Sequence, residues 1–518
     1  MHNRFRPSVS RQFVVLNQRC TVSIVAIMAS LASRCAAPSP PSADVLDALA
    51  PVDAHPHAHD AAQDASTSDG APPEDARVSA PDSAVAPVSC GAPSGDFYAF
   101  AGAIPTEPGA VVRCEELALG AARPRLAGHR AFRVLYSTSA VVHEAGAPRP
   151  EPRLASGTVF IPRAPASAQR LVIANTHGTT GVIARCAPSI NASFDESAML
   201  ALAAAAEDAV LVAPDFIGLG ADRGVRSPDA DTAVADPLAP SQRLRPFSNV
   251  AHPWLSIEGE GRATIDLVRA ARALPSAGLA ASARWFVAGQ SQGGHAALAA
   301  AEVSARGYAP ELELRGVIAG APTSMIESQE PSETEIFRAT FPLMLVGLSL
   351  DERDVRASRV LSDRAMAAFA RSSNSSCLSG TTLDDWIASY SLYLAPAHAL
   401  TRIDPLTDTA ARAALRRNDP GHQPVRAPLF IGQVVGDPVV IEGRTRQLVA
   451  RLRATNSGPV TYCEYTGSNL GQPWLLRANN HAVFSAMFAA DASARGRCTD
   501  RSGASTSADA TSFLRGMR

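Results

Sequence analysis

Ser291 stands between Gly289 and Gly293 in the stretch "FVAGQSQGGHAAL", directly after the apolar run "RWFVA" and before a small-residue run that reads as a helix from Gly293 to Arg306. A serine that attacks a carbonyl carbon has to protrude from a sheet on a tight strand-to-helix turn. Side chains two places before and two places after it would strike neighbouring backbone there. Glycine at both places removes them. In a chain with 35 glycines the pattern alone is modest evidence, and its place between a strand and a helix is what gives it weight.

A neutral hydroxyl is a weak nucleophile and needs a base, itself oriented by a carboxylate. Where the serine sits on such a turn, the acid and then the histidine follow it along the chain. Downstream lie His295, His398, His422 and His481. His295 falls one turn beyond the serine on the same helix, where packing is the natural role. His398 lies in a region without strand pattern, and His422 precedes the strand where that pattern resumes. Only His481, in "RANNHAVF", follows the last two strand candidates, so it is the expected base. Asp437 comes immediately after "PLFIGQVVG" and is the expected acid, although an aspartate there also suits a plain turn. The oxyanion formed during attack needs backbone donors. One is expected from Gln292, the residue after the nucleophile, and the second from Thr179 in "ANTHGTTGVIARC", with Thr180 close behind.

These residues have to be carried by a sheet. The runs "ASGTVFIP", "RLVIAN", "AVLVAPD", "RWFVAG", "LRGVIAGA", "PLFIGQVVG" and "PVTYCEY" are almost continuously apolar, as strands covered on both faces are. Between them "ESAMLALAAAAE", "SIEGEGRATIDLVRAARAL" and "GGHAALAAAEVSARG" read as helices. Strands alternating with helices predict an α/β fold with a mainly parallel central sheet. The alternation stops over residues 326–426, where "IFRATFPLMLVGLSL", "SRVLSDRAMAAFARSS" and "LDDWIASYSLYL" read as helices. The division expected is therefore core residues 90–325, a helical cap insertion at 326–426, and core again at 427–518.

Residues 1–35 read as an export signal: Arg4, Arg6, Arg11 and Arg19 precede the apolar run "TVSIVAIMASLA", which is too short to span a bilayer. Cleavage after Ala32 fits a Ser30-Leu31-Ala32 site. Cys35 is the residue that would take a lipid anchor, with Arg34 where a small residue is expected. Residues 36–89, rich in Ala, Pro and Asp, read as a disordered linker, and His55, His57 and His59 within it as solvated side chains. Cys90, Cys114, Cys186, Cys377, Cys463 and Cys498 then remain, an even number in an oxidising compartment. The pairing expected is Cys90 with Cys114, Cys186 with Cys377 and Cys463 with Cys498, against buried free thiols. A net charge of -2 gives no basic face for a nucleic-acid partner. "AVLVAPDFIGLGADRG" only faintly resembles a dinucleotide fingerprint, and "VVHEAGA" lacks the second histidine of a zinc-protease helix. No metal, cofactor or transmembrane helix is expected.

"NTHGTTG", "APDFIGLG", "GQSQGGHAAL" and "APLFIGQVVGDPVV" together resemble the secretory lipase family of α/β-hydrolases, over roughly Gly95 to Phe488. The resemblance implies an α/β-hydrolase fold with a helical cap inserted late in the sheet, and action on carboxylic esters, often acylglycerols. It implies Ser291, Asp437 and His481 as triad and Thr179 and Gln292 at the oxyanion. Two departures stand against it: "PVVI" follows Asp437 where the family has a Val-Pro step, and the loop before His481 is long. The expected protein is a secreted or surface-held serine hydrolase taking a small-molecule or lipid ester. The alternatives are a peptidase or other acyl hydrolase on the same scaffold, or a surface binding protein that has lost catalysis.

Overall fold

Each of the seven apolar runs read as strands is a strand in the computed structural model. The structure describes residues 88–518 apart from 119–125, 127, 146, 168–169, 192–207, 222–224, 238, 329–334, 373–376, 379–399, 456–457, 473–476, 478–479, 489–495, 501, 507–508 and 517–518. The expected leader and almost all of the linker, Cys35, His55, His57, His59, His398 and the helix candidates "ESAMLALAAAAE" and "LDDWIASYSLYL" lie outside the described residues.

In chain order, β1 (Val111–Leu117), β2 (His129–Glu144) and β3 (Ala147–Pro162) form an antiparallel ribbon. Strands β4 (Val172–Thr176) and β5 (Val210–Ile217) follow, and then β6 (Val234–Asp236) and β7 (Ala239–Leu244), which pair only with each other. Helix α1 (Ile257–Arg272) leads to β8 (Arg284–Gln290), helix α2 (Gln292–Ala305) and β9 (Glu313–Gly320). Helices α3 (Glu335–Leu348), α4 (Ala357–Val360), α5 (Asp363–Ser372) and α6 (Thr409–Arg417) separate β9 from β10 (Leu429–Val434). Helix α7 (Glu442–Thr455), β11 (Val460–Tyr465), α8 (Val483–Met487), β12 (Arg497–Thr499), β13 (Ser505–Thr506) and α9 (Ala510–Gly516) come last.

The 11-stranded sheet has the order β1-β2-β3-β5-β4-β8-β9-β10-β11-β12-β13. Its centre, from β5 to β11, is parallel throughout. Its flanks are antiparallel, so the sheet as a whole is mixed. Every residue of β4, β5 and β10 is buried, which explains their unbroken apolar sequence. Alternate side chains feed two cores: Trp285 and Val287 of β8 join the cluster on one face, Phe286 and Ala288 the cluster on the other.

Helix α1 starts at Ser256, whose Oγ accepts from Gly259 N at 3.0 Å. It crosses α2 closely, since a Cβ on Gly261 would meet the Ala299 carbonyl oxygen at 2.9 Å. The alanines of "GGHAALAAAEVSARG" serve that approach. The run "SRVLSDRAMAAFARSS", read as helical, spans two helices, α4 and α5. Leu361 is extended and bridges Thr401, and Ser362 Oγ accepts from Ala365 N at 3.1 Å, which restarts the chain as a new helix. Among the described residues no helix is long and apolar enough to cross a membrane.

The disulfides are Cys90–Cys114, Cys186–Cys377 and Cys463–Cys498, the pairing expected from the sequence. The second closes a span of 191 residues. In the chain-entropy picture such a loop is worth about 5 kcal/mol.

Candidate active site

Because the central strands are parallel, their carboxyl ends lie along one edge, where ligand crevices form in open α/β sheets. Thr176 ends β4 and His177 to Thr180 follow; Gln290 ends β8 and Ser291 follows; Asp437 comes three residues past β10, and His481 lies in the connection after β11. Four stretches remote in sequence therefore reach the same edge of the sheet.

Ser291 is the N-cap of α2 and has φ 60° and ψ -122°, a strained conformation for a residue with a side chain. The two glycines make this turn feasible. A Cβ on Gly289 would overlap Thr176 Oγ1 and the Gly293 carbonyl, and a Cβ on Gly293 would overlap the Thr176 carbonyl. Thr176 Oγ1 in turn donates to Gly293 O at 2.7 Å, tying β4 to the turn. Ser291 N donates to Gly320 O at 2.9 Å and Thr323 N to Ser291 O at 3.2 Å, which fastens the turn to the end of β9.

Asp437 has a fully buried carboxylate with four donors around it. Oδ1 accepts from Val439 N at 2.8 Å and Val440 N at 3.2 Å; Oδ2 accepts from Gln433 Nε2 at 3.3 Å and from His481 Nδ1 at 2.9 Å. With Nδ1 committed as donor to a carboxylate, the neutral ring has Nε2 as its acceptor, the atom a general base needs free. The His481 side chain is 20% exposed. Among the described residues no hydrogen bond joins Ser291 Oγ to the His481 ring. Such contacts often tighten only when substrate is bound.

Sequence reasoning missed the side chains that hold His481 in place. Gln290 Nε2 donates to His481 O at 2.6 Å and Gln290 Oε1 accepts from Phe484 N at 3.1 Å, so the residue before Ser291 grips the histidine segment from both sides. Asn480 Oδ1 accepts from Ser468 N at 2.9 Å, and its Nδ2 donates to Ser468 O at 2.9 Å and Gly436 O at 3.3 Å. Arg477 Nη1 also donates to Gly436 O, at 2.8 Å. The long loop ahead of His481 is thus pinned to the loop that bears Asp437.

Gln292 follows Ser291 directly, and Thr179 lies in the loop after β4. The Gln292 N–H belongs to the first turn of α2, where backbone donors have no intrahelical acceptor. Thr179 Oγ1 accepts from Trp254 Nε1 at 3.3 Å, while Thr180 O accepts from Leu378 N at 2.7 Å, beside the Cys186–Cys377 disulfide. His177 Nδ1 faces Gly178 O at 2.6 Å and shapes the same loop. His295 is wholly buried, with its ring nitrogens on Glu260 Oε2 and Asn418 O. His422 sits with Glu327 and Asp419, whose donor atoms lie within 4.8 Å of one another. Asp419 there already accepts from Arg451 Nη1 at 2.7 Å and Ile326 N at 3.2 Å, which leaves a poor cage for a metal ion.

The mixed sheet and its helices have the α/β-hydrolase fold. Residues 252–435 match the family model of "Secretory lipase", a span holding the Ser291 turn, helices α3 to α6 and β10. Among solved structures, the ligand-bound "rice cell wall degrading esterase LipA" from Xanthomonas oryzae is similar over 73% of this chain and 97% of its own, with 17% identity and a TM-score of 0.53. Lipase A from Candida antarctica in its closed state aligns over 72% of this chain and 78% of its own, with 16% identity and a TM-score of 0.47. A search of curated proteins finds no match. The family match and the fold support an enzyme that hydrolyses esters.

Proposed function

We propose that this chain is an exported serine hydrolase of carboxylic esters, with Ser291, His481 and Asp437 as its triad. The observation that carries the reading is the His481 Nδ1 to Asp437 Oδ2 hydrogen bond of 2.9 Å, placed at the same sheet edge as the strained turn of Ser291 and held to it by Gln290. His481 Nε2 takes the proton as Ser291 Oγ attacks the ester carbonyl carbon, and Asp437 stabilises the imidazolium that results. The tetrahedral oxyanion is met by the N–H groups of Gln292 and Thr179. Collapse breaks the acyl–oxygen bond, the alcohol leaves with the proton from His481, and water then releases the acid by the same route in reverse.

Residues 326–426, which carry α3 to α6, act as the cap over the strand ends in this reading. Three disulfides fit an oxidising compartment outside the cytoplasm. The experiment is Ser291→Ala assayed on short p-nitrophenyl esters. Turnover is expected to vanish with an unchanged circular dichroism spectrum, and retained turnover refutes the assignment.

A further inference from the structure

Behind the serine turn lies a group of polar side chains that the reaction above does not use. Glu260 of α1 and Gln292, His252 and His295 around it are all wholly buried. Glu260 Oε1 accepts from Leu255 N at 3.0 Å and from Gln292 Nε2 at 2.7 Å, and its Oε2 accepts from His295 Nδ1 at 3.0 Å. The other ring nitrogen of His295 faces Asn418 O at 2.9 Å. Both of its nitrogens therefore meet acceptors, which makes the ring an imidazolium. Burial acts to lower its pKa, but the hydrogen bond and charge of Glu260 outweigh that and raise it.

His252 is the opposite case. Its Nδ1 donates to Ile217 O at 2.9 Å, and its Nε2 faces Gln292 Nε2 at 2.8 Å. Burial pushes its pKa down to about 4, so it is neutral and Nε2 accepts. The Gln292 amide is thereby fixed: both its hydrogens go to defined acceptors, and a flipped amide would set oxygen against the Glu260 carboxylate. Its Oε1 has no partner among the described residues.

A buried ion pair is weak as a source of stability, because apolar side chains of similar volume commonly do as well or better. What this one does is hold a single side chain, that of the residue directly after the strained serine. A strained turn persists only where its surroundings over-determine it. Resting on the triad reading above, we infer that Glu260, with His295 as its buried counter-ion, is a positioning residue of the oxyanion site. It anchors the Gln292 side chain and thereby aims the Gln292 N–H at the developing oxyanion. Asn418 follows α6 of the insertion, so the same anchor extends from the sheet core into that insertion.

The test is a double-mutant cycle of Glu260→Gln and Gln292→Met, the second keeping the backbone N–H and nearly the same volume. Each single variant is expected to lose about 10- to 100-fold in kcat with KM within about twofold, the mark of an interaction realised in the transition state. The double variant is expected to be no slower than the slower single, because both changes cut one link. Inhibition by a trifluoromethyl ketone, whose adduct oxygen occupies the oxyanion position, should weaken in step with kcat/KM. The inference fails if Gln292→Met keeps kcat within twofold, if KM rises as kcat falls, or if the two effects multiply. Gln292→Met alone decides the matter should Glu260→Gln not fold. Activity surviving in Ser291→Ala would instead overturn the triad reading itself, so the two failures are distinguishable.

Discussion

The serine turn and the histidine loop are held by different physics. Ser291 is placed by backbone: two glycines let β4, β8 and α2 close up around it, and main-chain bonds to Gly320 and Thr323 lock it. His481 is placed by side chains, with Asp437, Gln290, Asn480 and Arg477 each contributing hydrogen bonds around it. Backbone packing is all or nothing, whereas polar tethers can be cut one at a time. The serine turn should therefore fail together with the fold, and the histidine loop should fail by degrees.

The largest effect is expected from Gly293→Val, whose side chain has to enter space filled by the Thr176 and His177 carbonyls. A cost of more than about 4 kcal/mol is expected, read as loss of soluble protein with a native circular dichroism spectrum; a folded, stable variant would break the comparison. Next comes Asp437→Asn, which keeps the shape of the site but removes the carboxylate that fixes His481. Its kcat is expected to fall by about 1000-fold or more with thermal stability nearly unchanged. Gln290→Leu should be milder, a loss of about 10-fold in kcat without unfolding, since it frees the His481 segment by a small displacement. A Gln290 variant at full rate would mean that the remaining tethers suffice.

The last effect is on stability, with no change in rate, and concerns the far end of the serine helix. Glu302, in the last turn of α2, is buried, and that burial raises its pKa from 4.5 to about 7, partly offset by the bond from Gly421 N at 2.6 Å. The unfolded chain ionises this group near its ordinary value while the folded chain keeps it neutral. The associated stability is full below about pH 4.5 and is lost as the pH rises to about 7, a change on the order of 3 kcal/mol. Glu302→Gln should escape that loss, so its advantage in thermal unfolding should grow from pH 5 to pH 8 while kcat stays put. An equal pH dependence in both proteins would contradict this.

The same contrast governs what could be read from the sequence. Strands buried on both faces declare themselves by unbroken apolar runs, and the glycines around Ser291 are a local signal of a local steric need. Strand β2, "HRAFRVLYSTSAVVHE", is long, antiparallel and interrupted by polar residues, so nothing in its pattern separated it from loop. The pairing of Asp437 with His481 follows from their order after the serine and their places relative to strands. Gln290 was not, because its partner is 191 positions away and a glutamine next to a serine carries no signal of its own. Glu260 stands in the first turn of a helix, where an acid commonly faces solvent and the helix dipole. Only the structure turns it inward to His295 and Gln292.

The central claim is that Ser291 is a nucleophile activated by His481, a residue far from it along the chain. Labelling with a fluorophosphonate, followed by peptide mass spectrometry, tests it most directly. The label is expected on the peptide that contains Ser291, absent from Ser291→Ala, and formed at least about 100-fold more slowly in His481→Ala. Labelling at another residue, or an undiminished rate without His481, would contradict the account.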